Sequence, residues 1–295
     1  MDKYLTNTDS LANHIFWFYE DLEILPEKDH YGLSINYTDI KERKDDFLSE
    51  LINTVVSWVY NKSKVKSILD ERLGESDDFG NALSFVTNLA YSKFRKGYPQ
   101  GQFGELLLFN LIQHYNKAVP VLRKQRITTS VGHERFGADA IHYKKDGENH
   151  LFILGESKCY ESKYSFNKAF ETSLNSIVDT FNKLDKELDL YLYDDFLETE
   201  LEDIVKQYKI GALKKVKFEL VCLIAYNETN VINGDCEDTI KESIKNIIRD
   251  RCKTFDKSKF STIDDKILSR INYIVFPIWK LDELLDNFQT KVGSK

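Results

Sequence analysis

Proline is scarce in this chain, with four among 295 residues, which argues against long disordered linkers. No apolar run reaches the ~18 residues that a membrane-spanning helix needs, so no membrane association is expected. Met1 to Ser10 is polar and lacks the apolar stretch of a signal peptide. The apolar cluster from Ile15 to Tyr19 is short and runs into acids. The four cysteines, Cys159, Cys222, Cys236 and Cys252, make no CxxC pair and no zinc spacing. Reduced thiols in a cytoplasmic protein are the expectation. The six histidines build no HExxH or finger pattern. Gly97, Gly101 and Gly104 fit neither a P-loop nor a dinucleotide fingerprint. They read as turn residues, and no nucleotide cofactor or ATPase motor is expected in this chain. An excess of positive charge is missing too, since the formal net charge is −7. Phosphate neutralisation favours basic surfaces, so nucleic-acid binding here would need a local basic path or a partner's grip.

What the chain does have is a core-forming composition. Hydrophobic residues make up 42% and charged residues 30%, and 19 Phe, 16 Tyr and 3 Trp can fill a sizeable interior. Residues 31–37 alternate as a strand does. From Asp46 to Tyr60 the apolar residues Phe47, Leu51, Val55, Trp58 and Val59 recur at helical spacing. Asn81 to Phe94 reads as another helix. Residues 96–104, with three glycines and Pro99, form the best boundary. This divides an N-terminal α+β extension, 1–96, from a second domain, 97–295. In the second, the pattern predicts a helix over 105–115, strands over 119–124, 136–143 and 151–159, and a long amphipathic helix marked by Phe166, Phe170, Leu174, Ile177, Phe181 and Leu184. A near-continuous apolar strand follows over 216–226, as a central strand would be. Helices over 238–251 and 263–270, a strand over 273–277 and a closing helix over 279–288 complete the order. No internal repeat or low-complexity tract is present.

The chemistry is concentrated in two segments, Phe136-Gly-Ala-Asp-Ala-Ile-His-Tyr143 and Leu151-Phe-Ile-Leu-Gly-Glu-Ser-Lys-Cys159. Asp146-Gly147 is a strong two-residue hairpin signal. With these as turn residues, Lys145 faces Glu148 and Asp139 faces Leu154. Side chains alternate along a strand, so Leu154, Glu156, Lys158 and Asp139 share one face. Asp139 and Glu156 become diagonal neighbours, about 7–8 Å apart at the backbone. From there both carboxylates can lean onto one divalent cation, and a one-residue slip would separate them. Carboxylates are hard oxygen ligands suited to Mg2+, which polarises phosphate and acidifies a bound water. Lys158 can position that water or stabilise charge on the phosphorane. A lone E-x-K near a strand end is ordinarily a surface ion pair. This one ends an apolar strand, where charge is costly unless paired or used. It also follows an Asp on a matched strand. Glu105 opens a helix whose Leu108, Phe109 and Ile112 lie at i+3, i+4 and i+7, which sets it on or beside the apolar face. It is either an acid favourable to the helix dipole or a third acid aimed at the site.

Other groups read more plainly. His142 falls on the strand face opposite Asp139, as a structural residue, and His133 in a solvated loop. Ser157 and Cys159 face away from the acids, which disfavours nucleophilic catalysis. Basic residues cluster at Lys93, Arg95 and Lys96, at Arg123, Lys124 and Arg126, and at Lys163 and Lys168. Solvated faces account for most such clusters. Lys163 and Lys168 directly follow the acid-bearing strand, and with Arg126 they are the candidate nucleic-acid contacts. The acidic stretch 185–203 suits solvent or a partner better than DNA.

Helix Glu105, strand Asp139 and Glu156-x-Lys158 resemble the PD-(D/E)xK nuclease superfamily. The fuller wording Gly101-Gln-Phe-Gly-Glu105, Phe136-Gly-Ala-Asp139 and Leu154-Gly-Glu-Ser-Lys158 is similar to the HamA family, nuclease subunits of the bacterial Hachiman anti-phage system. The resemblance covers roughly residues 101–181. It implies an α/β fold, with a restriction-endonuclease-like core in which helices flank a mixed central sheet. It also implies DNA cleavage dependent on Mg2+, or Mn2+ in its place, and a HamB-like helicase partner that restrains the nuclease until DNA is engaged. Asp139 and Glu156 would bind metal, Lys158 would assist catalysis and Glu105 would support metal or water. The superfamily's proline before the Asp is Ala138 here, and the Gln-x-x-x-Tyr motif of RecB-like members is absent. An alternative of a different class is a non-catalytic adaptor that keeps the nuclease fold and binds a helicase or nucleic acid.

Overall fold

A strand that is apolar on both faces must be covered on both, and that requirement organises this molecule. The computed structural model describes residues 1–94, 97, 99–121, 137–162, 165–184 and 198–293. The elements run α1 (Asp9–Ala12), β1 (Ile15–Asp21), β2 (Asp29–Ile35), β3 (Tyr37–Thr38), β4 (Lys41–Glu42), α2 (Lys44–Asn53), α3 (Val55–Val59), α4 (Lys62–Ser76), α5 (Phe79–Tyr91) and α6 (Pro99–Leu111). They continue with β5 (Val119–Pro120), β6 (Ala140–Asp146), β7 (Asn149–Tyr160), α7 (Ser165–Asn182), α8 (Thr199–Lys209), β8 (Val216–Glu228), α9 (Glu237–Lys253), α10 (Asp265–Leu268), β9 (Ile271–Trp279) and α11 (Leu281–Gly293).

Seven strands form one mixed sheet in the order β1-β2-β9-β8-β7-β6-β5. β7, β8 and β9 are parallel, and the hairpin partners β6 and β1 are antiparallel to their neighbours. Helices cover both faces. Val221, Leu223 and Ala225 of β8 pack with residues of α2, α3, α6 and α11. Leu220, Cys222, Ile224 and Tyr226 pack with residues of α7, α8 and α9. The result is a PD-(D/E)xK-like core with helices on both sides of a mixed sheet. The N-terminal α+β extension adds β1 and β2 to that sheet, through the parallel pairs Tyr31–Ile274 and Gly32–Val275. Among the described residues, no helix is long and apolar enough to cross a membrane.

Several elements differ from the sequence pattern. The helix expected over 46–60 is two helices, divided at Thr54, whose hydroxyl donates to the Leu51 carbonyl at 2.6 Å and accepts from Asn110 at 2.8 Å. A side-chain bond of this kind competes with the helical ladder. The helix expected over 263–270 is only the single turn α10, capped by Asp264, which accepts from the Lys266 amide. Gly101 and Gly104, expected in turns, lie within α6, and Glu105, expected to open that helix, stands at its middle because the helix begins at Pro99. The short apolar cluster at Ile15 opens strand β1.

The hairpin departs furthest from the sequence pattern. Asp146 pairs with Asn149, so the turn residues are Gly147 and Glu148, and the register runs to Ala140 opposite Gly155. Gly147, at φ +58°, occupies the first turn position, where a type II′ turn favours glycine. The shift relative to the expected register is two residues. Every side chain therefore keeps its face, because the strand period is two.

Helix α6 approaches this hairpin closely. A Cβ on Gly155 would lie 2.9 Å from Leu108 Cδ2, 3.0 Å from Ile112 Cδ1 and 3.2 Å from Ala140 Cβ. Filling that space should overpack the core, so Gly155→Val should lower unfolding stability by about 1–3 kcal/mol. Urea denaturation measures this, and an unchanged midpoint would contradict the packing described.

Candidate active site

β7 carries Glu156 and Lys158 at its C-terminal half, in parallel with β8, where Cys222 and Ile224 are their partners. Alternation sends Phe152 and Leu154 into the core beneath α7 and Ile153 toward α6. Glu156 shares the parity of Leu154, so its carboxylate enters the interface with α7, where it is only 2% exposed.

A carboxylate in such a place needs donors, and three are present. Thr180 Oγ1 donates to Glu156 Oε1 at 2.8 Å, Ser176 Oγ to Oε2 at 2.8 Å, and Lys158 Nζ to Oε2 at 3.1 Å. The Lys158 side chain is 21% exposed against 2% for Glu156, so the pair spans the boundary between core and solvent. Burial, and then the nearby Asp139 charge, push the Glu156 carboxyl up to about 7, against the opposing pull of Lys158, Thr180 and Ser176.

Asp139 stands in a bend one residue before β6. Continuing the β6–β7 register by one residue sets it against Glu156 itself, closer than the diagonal expected from the sequence. Its Oδ2 accepts from the Ser157 amide at 2.9 Å and from Ser157 Oγ at 3.0 Å. Ser157 and Cys159 do lie on the α6 side, against Gly104. Ser157 is nevertheless part of the site, as the group that holds Asp139. Burial pushes the Cys159 and Cys222 thiols well up, which leaves neither as a thiolate nucleophile.

Glu105 sits in α6, half-buried. Its neighbour Gly104 crosses β7 so closely that a Cβ there would be 3.1 Å from Ser157 Oγ and 3.6 Å from Cys159 Cβ. A side chain at this position would press Ser157 away by a few tenths of an ångström, so glycine favours the close approach that sets Glu105 beside β7. Among the described residues, however, no three His, Cys, Asp or Glu side chains gather into a group that could hold a metal ion. The structure thus brings Asp139, Glu156 and Lys158 together, without Glu105 closing a three-acid cluster. Two carboxylates plus waters remain a usual donor set for Mg2+. The mutual repulsion of Asp139 and Glu156, visible in the raised Glu156 value, is what a cation between them would relieve. By that donor chemistry the residues fit a divalent ion.

Of the candidate nucleic-acid contacts, Lys168 is exposed in the first turn of α7. Arg126 and Lys163 lie outside the described residues, as do His133 and the 122–136 connection. His142 is fully buried and packs against Phe109, 5.7 Å between ring centres, on the face opposite Leu154. Besides Ser157, the site residues that the sequence pattern does not single out are Ser176 and Thr180. Their signal was present, because a polar side chain on the buried stripe of an amphipathic helix must find a partner.

A family model described as HamA matches residues 13–292. No curated protein matches the chain.

The raised Glu156 value has a definite sign for stability. Its ordinary value is 4.5, taken as that of the unfolded chain. Above this the unfolded chain ionises freely, while the folded chain resists until about 7. Ionisation therefore disfavours folding, by an amount absent below 4.5, growing as pH rises, and complete above about 7. Glu156→Gln cannot ionise. In metal-free buffer its stability relative to wild type should rise by on the order of 3 kcal/mol between pH 4.5 and pH 8. Denaturant titrations across that range measure it, and a difference independent of pH would contradict the burial described.

Proposed function

The chain belongs to the HamA family, and from that premise we propose that it is a metal-dependent DNase, the effector of a bacterial anti-phage system that works with a HamB-like helicase. The observation that carries the reading is the Glu156–Lys158 pair at 3.1 Å, half-sunk at the end of a core strand with Asp139 alongside. Such a charged group is costly to bury, and catalysis is a reason to keep it.

Asp139 and Glu156 would hold Mg2+, or Mn2+ in its place. The ion, when bound, supplies Lewis acidity toward the phosphate and an acidified water. The chain supplies the rest. Ser157 holds Asp139 by two hydrogen bonds. Lys158, partly open to solvent, orients the attacking water or stabilises negative charge on phosphate. Glu105, on α6 beside the site, supports metal or water. Lys168 on α7, with Lys163 and Arg126, contacts the DNA backbone and contributes affinity without sequence selectivity. The overall charge of −7 fits an effector whose grip on DNA comes largely from the helicase. Restraint of the nuclease until the helicase engages DNA follows from the family resemblance.

A second reading has its own support. Both Glu156 oxygens already accept hydrogen bonds from within the protein, and no three-acid cluster forms among the described residues. These favour a nuclease-fold adaptor that binds the helicase or nucleic acid without cutting.

Plasmid cleavage with Mg2+, with and without the helicase, separates the two. The nuclease reading predicts cleavage by wild type and losses on the order of 100-fold or more in Glu156→Ala and Lys158→Ala. Absence of cleavage in both conditions would favour the adaptor instead, and equal cleavage by the variants would overturn the active-site assignment.

A further inference from the structure

We propose that Ser176 and Thr180 of α7 are positioning residues that fix the Glu156 carboxylate in the orientation in which it takes a divalent cation. This rests on the metal-dependent reading above. The two hydroxyls are at i and i+4, so they project from one helix face about 5–6 Å apart. Each bonds a different oxygen of the same carboxylate, both at 2.8 Å. One bond would leave the carboxylate free to rotate about its last torsion. Two bonds to different oxygens, from one rigid helix, define its plane.

The behaviour of other helical hydroxyls in this chain sharpens the point. Ser49, Ser76, Thr87 and Thr290 each donate to the carbonyl four residues back, as solvent-facing Ser and Thr on helices commonly do. A hydroxyl has a single proton to donate. Ser176 and Thr180 direct theirs to Glu156, across the helix–sheet interface. Thr180 does so from a buried position, 5% exposed.

The donor count leaves room for a cation. An ionised carboxylate offers about four lone-pair sites, and Thr180, Ser176 and Lys158 occupy three. Lys158 is the donor on a long, partly exposed stem, and it can turn away as a cation arrives. The two hydroxyls, set on the helix, stay. Outer partners of this kind are worth about 10–100-fold in metal affinity.

The test is Mn2+ binding to the full chain by isothermal titration calorimetry, for wild type, Ser176→Ala, Thr180→Val and Thr180→Ser. Thermal unfolding in chelator reports folding separately. The expected result is binding about 10–100-fold weaker in Ser176→Ala and Thr180→Val, with Thr180→Ser restored to within a few-fold of wild type. If Thr180→Val folds poorly, Ser176→Ala, at a half-buried position, decides the question. Wild-type affinity in Ser176→Ala and Thr180→Val, or a Thr180→Ser as weak as Thr180→Val, overturns the positioning role and leaves the metal site standing. A wild type that binds no Mn2+ overturns the metal-dependent reading and this inference together.

Discussion

A single carboxylate, that of Glu156, is sunk where β7 meets α7, and the surrounding structure is arranged to make this tolerable. An ionised acid in a core costs several kcal/mol unless donors meet it. Here the donors come from two directions, Lys158 on its own strand and Ser176 and Thr180 on the covering helix. The helix can supply them only because its apolar residues Phe166, Phe170, Leu174 and Ile177 are seated in the core with Leu154, Cys222 and Ile224. Core packing and site chemistry are therefore one constraint. The same burial raises the Glu156 carboxyl, against the opposing pull of Lys158, Thr180 and Ser176.

The opposite face of β7 is governed by close approach rather than charge. Gly104 and Gly155 remove the side chains that would hold α6 away from the hairpin. The helix then settles near enough to bring its N-terminal half, with Glu105, beside Ser157. Ser157 links the two faces: its backbone amide and its hydroxyl, the latter under α6, both bind Asp139. The acids thus have separate supports, Glu156 from α7 and Asp139 from its neighbour on β7.

Much of this was legible in the sequence, for identifiable reasons. The strand β8 and the helix α7 announced themselves by long, unambiguous apolar periodicity. The pairing of Asp139 with Glu156 was legible because face assignment survives a two-residue register error, although the neighbour relation does not. The hairpin was misplaced because Asp146-Gly147 suits a turn in two ways, and only the backbone shows Gly147 taking the first position. Thr54 broke a helix that its apolar spacing predicted whole, by a hydrogen bond to Asn110, distant in sequence. Ser176 and Thr180 stayed hidden for a similar reason. Their polarity was visible, but their partner on a separate strand was not. The family wording around Gly104–Glu105, Asp139 and Glu156–Lys158 pointed to HamA, and the match over residues 13–292 bears out that membership.

Crystals of the wild-type chain soaked in Mn2+ and measured at the manganese absorption edge would locate a bound cation. The expected result is an anomalous peak coordinated by Asp139 and Glu156, with Lys158 displaced from its 3.1 Å contact. A peak bound elsewhere, or none while Lys158 keeps that contact, would contradict it.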